Sequence, residues 1–219
     1  MTNANRPKFT GRSLVLLREN AVAEGIQMLS ELIGTRGTDD IIGFENLGVA
    51  VVNAAPEDLS ASTRSLDDSP ILSVEPERYF YPINNVPNKT AVRANPTAQA
   101  EPDESEYTWG LQATRVIDSS ATGAGIKVAI LDTGLDLQHP DFQGRTIFSK
   151  SFVPNENVQD VLGHGTHCAG TACGSLNPSV LPRYGVAYNA EIYVGKVLGN
   201  RGFGNASWIV EGIEWAVAN

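Results

Sequence analysis

VAILDTGLDLQHPDF, residues 128–142, decides how the rest of the chain is read. Val128 to Leu131 are apolar and β-prone, and they deliver a carboxylate, Asp132, into Thr133-Gly134. GIKVAILD (125–132) is the continuous apolar run expected of a strand in a parallel sheet covered on both faces. The C-terminal end of such a strand is where α/β sheets place their ligands and chemistry. What Asp132 does depends on the partner it meets there.

One reading makes Asp132-Thr133-Gly134 half of an aspartic-protease dyad, which needs a second copy to share a proton. The sequence holds a single copy, followed by Leu135, in an α/β pattern foreign to that all-β fold. A better partner lies in GHGTHCAGT (163–171), where His164 has glycine on both sides and stands at the start of a helix, HGTHCAGTACGS (164–175). Glycine lets backbone approach closely and is a poor setting for a packed core histidine. With Asp132 holding Nδ1–H, Nε2 of His164 is left as a base for a hydroxyl nucleophile. His167, one turn on, is expected to face inward and be structural. Two rivals use the same residues: zinc on His164, His167 and Asp132, and a Cys168–His164 nucleophile pair. TGAGIK (122–127) resembles a dinucleotide-binding glycine motif, but it precedes the strand instead of following one, and so fails on order.

Working outward, AEIYVGKVL (190–198) reads as a second buried strand, and NASWIVEGIEWAVAN (205–219) as an amphipathic helix with Ile209, Ile213 and Val217 along one face. Upstream, residues 84–106 hold proline and asparagine at short intervals and then four carboxylates in EPDESE (101–106), the composition of a linker and of a processing site. Before it the order is strand (13–19), helix (21–33, with Val22, Ile26, Leu29 and Ile33 on one face), two strands around Glu45-Asn46 (41–54), helix (56–66, with Leu59, Thr63 and Leu66 aligned) and strand (71–83). That order is the split βαβ arrangement.

The 219 residues carry 42% apolar side chains, enough for one good-sized domain or two small ones, and a net charge of −9 that disfavours nucleic acid and anionic membrane as partners. No apolar run reaches the length of a membrane span. The apolar stretch near the N-terminus is too short for a secretory signal core, so the sequence by itself points to a cytoplasmic start. Cys168 and Cys173 lie five residues apart, about 140° around a helix, which is poor geometry for a disulfide.

Three blocks, VAILDTGLDLQHPDF, GHGTHCAGT and KVLGNRGFGNASWIVEGIEWAVAN (196–219), occur in the order and spacing of the subtilisin-family serine proteases, which the chain resembles from about Tyr107 to Asn219. The resemblance implies an α/β catalytic domain with a parallel sheet and flanking helices over 107–219, incomplete here, after an α+β ferredoxin-like prodomain over 1–83 that assists folding and inhibits. It implies Asp132 and His164 as two members of an Asp-His-Ser triad. It also implies that Leu198, Gly202, Phe203 and Gly204 line the segment on which a polypeptide substrate docks as an added strand. The family's Gly-Thr-Ser-Met-Ala is absent, none of Ser175, Ser179 and Ser207 has that context, and the oxyanion asparagine is expected beyond residue 219. These residues alone are therefore expected to be inactive, leaving an inhibitory or folding-assistant fragment as the alternative. No cofactor is required. Calcium is open: Asp141 matches a calcium ligand of many relatives, while LNPSVLPRYG (176–185) lacks a clear set of oxygen ligands. In such relatives a free cysteine at the place of Cys168 lines the active-site region without attacking substrate. The family is often secreted, so the compartment stays open.

Overall fold

The computed structural model describes residues 8–34, 40–63, 69–82 and 102–219. In chain order the elements are β1 (Phe9–Leu17), α1 (Val22–Ile33), β2 (Ile41–Phe44), β3 (Val49–Val52), α2 (Pro56–Thr63), β4 (Ile71–Phe80), α3 (Trp109–Ala113), β5 (Lys127–Asp132), β6 (Ile147–Ser151), α4 (His164–Cys173), β7 (Glu191–Lys196), β8 (Gly204–Asn205) and α5 (Ala206–Ala218). Leu66 of the second predicted helix and residues 84–101 of the predicted linker lie outside the described residues. The chain forms two compact units, Met1–Tyr81 with Val197–Asn219, and Pro82–Lys196.

The first unit is built on an antiparallel sheet of order β2-β3-β1-β4-β8. Its first four strands and two helices follow the strand-helix-strand-strand-helix-strand order read from the sequence. Val15 sits mid-sheet, paired with Ala50 on one side and Val74 on the other. The core gathers Val15, Leu17, Leu29, Ala50, Val52, Leu59 and Ile71, with Val22, Ile26 and Ile33 of the predicted α1 face packed against it. Each fully buried Leu or Val there contributes about 1.5–3 kcal/mol. α1 stops at Gly34, whose left-handed φ of 60° lets its N–H turn back onto the Ser30 carbonyl.

α5 differs from expectation. Ile213 and Val217, on the predicted buried stripe, are exposed, and the buried positions are Ala206, Ser207 and Gly212. The helix packs against β2 and β4 through its small residues, because pairing of β8 with β4 brings its first turn close to the sheet.

The second unit carries a parallel sheet of order β5-β7-β6, with Val128 beside Ile192 and Asp132 beside Lys196. β7 is the strand buried throughout, from Ile192 to Lys196. β5, expected to be covered on both faces, has one face packed and one exposed. Val128 and Ile130 meet the core of Leu135, Phe142, Ala169, Cys173, Ile192 and Val194, whereas Ala129 faces outward. The packed side is covered by α4, which approaches through Gly165, Ala169, Gly170 and Cys173. Both cysteines are free thiols, Cys168 half-buried and Cys173 buried. Among the described residues no helix is long and apolar enough to cross a membrane.

Candidate active site

β5 ends at Asp132 and α4 begins at His164, and the two side chains meet. Nδ1 of His164 lies 2.8 Å from Oδ1 and 2.9 Å from Oδ2 of Asp132. The Thr133 N–H also donates to Asp132 Oδ1 at 2.6 Å, which fixes the carboxylate from its own backbone. With Nδ1–H held by the carboxylate, the imidazole is fixed as the tautomer whose Nε2 accepts a proton. The side chains are 13% and 28% exposed, so the pair is sheltered but open on one side.

The two motifs touch backbone to backbone. A Cβ on Gly165 would stand 2.3 Å from the Gly134 carbonyl oxygen, and one on Gly134, at φ +105°, would stand 2.0 Å from the Val158 carbonyl oxygen. Only glycine permits this approach. Thr133 completes the junction: its hydroxyl accepts from the Gly165 N–H at 2.8 Å and donates to Asp160 at 2.9 Å.

Asp160 was not singled out in the sequence, and it organises the whole junction. Its Oδ1 also accepts from the Leu162 and Gly163 amides, and its Oδ2 from the amide and hydroxyl of Thr166. The Gly163 and Thr166 amides are otherwise unpaired backbone donors at the start of α4. Burial pushes the Asp160 carboxyl upward, but the hydrogen bonds from Thr166, Gly163 and Thr133 outweigh it and hold the group below the usual carboxylate range. Lys196, fully buried beside Asp132 in the sheet register, donates to the Thr133 carbonyl at 2.5 Å and lies 3.7 Å from Glu156. The clue to Asp160 was its place four residues before His164. Lys196 is visible only once β7 is set against β5.

His167, expected to face inward, is exposed on the wall of a cleft of about 830 Å³ lined also by His139, Asp141, Val161 and Val180. Helix geometry gives the reason: it lies about 200° from Gly165, the start of the buried stripe. The zinc set His164, His167, Asp132 is therefore not assembled. The group of potential metal ligands found among the described residues is Asp132, His164 and Cys168, with ligand atoms within 4.8 Å of one another. Cys168 Sγ stands 3.8 Å from His164 Nδ1, the nitrogen already given to Asp132. Burial, then the negative charge of Asp132, pushes this thiol up, which disfavours the thiolate a Cys–His pair needs.

The remaining predicted residues belong to the first unit. Leu198 is buried. Gly202, at φ +75°, turns the chain so that Gly199 and Phe203 share a backbone hydrogen bond. Gly204 begins β8, where a Cβ would stand 2.1 Å from the Val197 carbonyl oxygen. The edge of β8 is occupied by β4, with Phe80 opposite Gly204 and Tyr79 opposite Asn205. Phe203 packs edge-on against Tyr79 at 5.4 Å and tilted on Tyr81 at 6.3 Å. Under this pairing Glu77, fully buried, accepts from the Ser207 amide at the start of α5, from the Thr10 hydroxyl, and from Arg12 through two nitrogens. Strand alternation places Glu75 and Glu77 on one face, and only partners distant in sequence, Thr10, Arg12 and Ser207, distinguish them.

Comparison with known proteins agrees with this geometry. Residues 123–219 match the model of the subtilase family, peptidase S8. The alkaline protease of Alkalihalobacillus alcalophilus is 39% identical over 180 residues, spanning 80% of this chain and 40% of that protein. Subtilisin E of Bacillus subtilis is 44% identical over 111 residues, spanning 50% of this chain and 28% of that protein. The chain thus spans about two fifths or less of the length of these relatives. The crystal structure of fervidolysin from Fervidobacterium pennivorans, described as a keratinolytic enzyme related to subtilisin, superposes with a TM-score of 0.64 and 21% identity, covering 100% of this chain and 35% of that one. The stretch that carries the Asp132–His164 pair, residues 123–219, is thus the part of the chain that matches the subtilase family.

Proposed function

We propose that this chain is the N-terminal part of a subtilisin-like serine endopeptidase, with residues 1–83 as inhibitory prodomain, 84–106 as processed linker and 107–219 as the first part of the catalytic domain. One observation carries the reading: His164 Nδ1 lies 2.8 Å from the carboxylate that ends β5. In the reaction Asp132 holds the imidazole and stabilises it when protonated. Nε2 of His164 takes the proton from a serine hydroxyl as it attacks the peptide carbonyl, then returns it to the leaving amine. The serine belongs to the family's Gly-Thr-Ser-Met-Ala segment, which residues 1–219 do not contain. A polypeptide substrate pairs as a strand along Leu198 and Gly202-Phe203-Gly204.

The test is to express the in-frame coding sequence that follows Asn219 together with this chain and treat the product with a fluorophosphonate probe. A product labelled on the serine of Gly-Thr-Ser-Met-Ala, with labelling lost in His164→Ala, is expected. Residues 1–219 alone should show neither labelling nor turnover, and steady peptide hydrolysis by them would refute the serine assignment.

A second reading is favoured by the pairing of β4 with β8: a chain whose own strand takes the substrate's place acts as an inhibitor or folding assistant. Tight inhibition of an active subtilisin by residues 1–83, together with a stop codon directly after Asn219, would select it over the enzyme.

A further inference from the structure

The resemblance leaves open a calcium ion held by Asp141 and the segment after α4. The residues present do not fit one. Asp141 is buried, and both carboxylate oxygens accept from protein donors: the Ser179 amide on Oδ1 at 2.5 Å and the Tyr184 hydroxyl on Oδ2 at 2.5 Å. A calcium ion needs six to eight oxygens directed at it. Here the positive ends of an N–H and an O–H dipole face the carboxylate, where the cation would have to stand.

The segment itself is equally unsuited. Between Gly174 and Ala190 there is no acidic side chain, while Arg183 places a guanidinium there, 8% exposed and bonded to the Gly185 carbonyl. The Ser175 hydroxyl is spent on the backbone of Asn177. What the segment offers instead is a seat for an aromatic ring. A Cβ on Gly170 would stand 3.0 Å from Tyr184 Cε2, and one on Gly174 only 2.5 Å, so the ring lies where two glycines of the α4 end leave room. The backbone beyond is fastened to the same helix, Val186 N–H to Thr171 O and Ala187 N–H to Ala172 O.

We infer that the Tyr184 hydroxyl and the Ser179 amide take the place of a divalent cation at Asp141, so that the loop after α4 is closed by protein alone and does not take calcium there. The ring supplies the anchor, and Asp141 supplies the charge that the hydroxyl and amide satisfy.

Two measurements on the 219-residue chain test this. Thermal unfolding followed with a chelator and then with added calcium should give the same midpoint. Tyr184→Phe should lower that midpoint by about 5 °C, since a buried bond to a carboxylate is lost, and should remain unresponsive to calcium. An unchanged midpoint in this variant would overturn the latch. Terbium, which occupies calcium sites, provides a readout that needs no destabilised protein. An ion at Asp141 would lie beside Tyr184 and draw tyrosine-sensitised luminescence, and none should arise from this site. Luminescence lost in Asp141→Asn, or a calcium-raised midpoint lost in the same variant, overturns the inference.

Discussion

Each compact unit has a carboxylate buried at the start of a helix, yet the two are recruited from very different distances. Asp160 is bonded to Gly163 and Thr166 at the start of α4, three and six residues away along the chain. Glu77 is bonded to Ser207 at the start of α5 across 130 residues. The carboxylate of Asp160 is held by hydroxyl and amide donors, from Thr133, Leu162, Gly163 and Thr166. Glu77 is paired with Arg12, whose side chain is 26% exposed. The same device thus serves two purposes. In the second unit it shapes a local turn that brings His164 to Asp132, and in the first it joins two distant stretches of chain.

The largest effect that would break this contrast is expected from Asp160→Ala. It strands several buried donors at once and should cost about 4 kcal/mol in denaturant unfolding. The downfield Nδ1 proton resonance of His164 should vanish with it. A variant that keeps that resonance would show that Asp132 and His164 meet without Asp160.

Glu77→Gln should cost less, about 2 kcal/mol, because Arg12 regains water when its partner is neutral. Unfolding followed through a fluorophore on α5 would report it. Acidity sharpens the same contrast. Burial pushes Glu77 upward, but bonds from Thr10, Arg12 and Ser207 hold its folded value below 4.5. Its stabilisation is therefore complete at neutral pH and fades only as pH falls below 4.5 through the lowered folded value. The Glu77→Gln variant should lose that part of the acid dependence. An equal acid slope in both proteins would remove Glu77 from the account.

Phe203→Ala should come next, at about 1 kcal/mol for the lost edge contact with Tyr79, read as a lower unfolding midpoint of the first unit. Lys196→Met should cost a further step less, about 0.5–1 kcal/mol, because relief of the buried ammonium's desolvation offsets most of what is lost when the Thr133 carbonyl gives up its donor and the partly exposed Glu156 its partner. It should nonetheless shift the His164 ring resonances, because the Thr133 carbonyl loses the donor that holds it next to Asp132.

The pair at Asp132 and His164 was legible in the sequence because each side chain sits at the end of an element that its own neighbours define: an apolar run before the carboxylate, glycines around the histidine. The split βαβ order was legible for the same reason. What escaped were residues whose role needs a second stretch of chain. Lys196 looks like one more polar residue until β7 lies beside β5, and Glu77 looks like Glu75 until Arg12 and Ser207 arrive. The outward turn of Ile213 and Val217 escaped likewise. A stripe spaced by four marks one face of a helix, but the small residues Ala206 and Gly212 decided which face met the sheet.

The backbone contact between Gly134 and Gly165 carries a consequence for reading relatives of this chain. Because each glycine is demanded by steric exclusion, a relative in which the histidine had been replaced would still be obliged to keep both. Their persistence in an alignment therefore testifies to an intact scaffold and carries no information about what is attached to it.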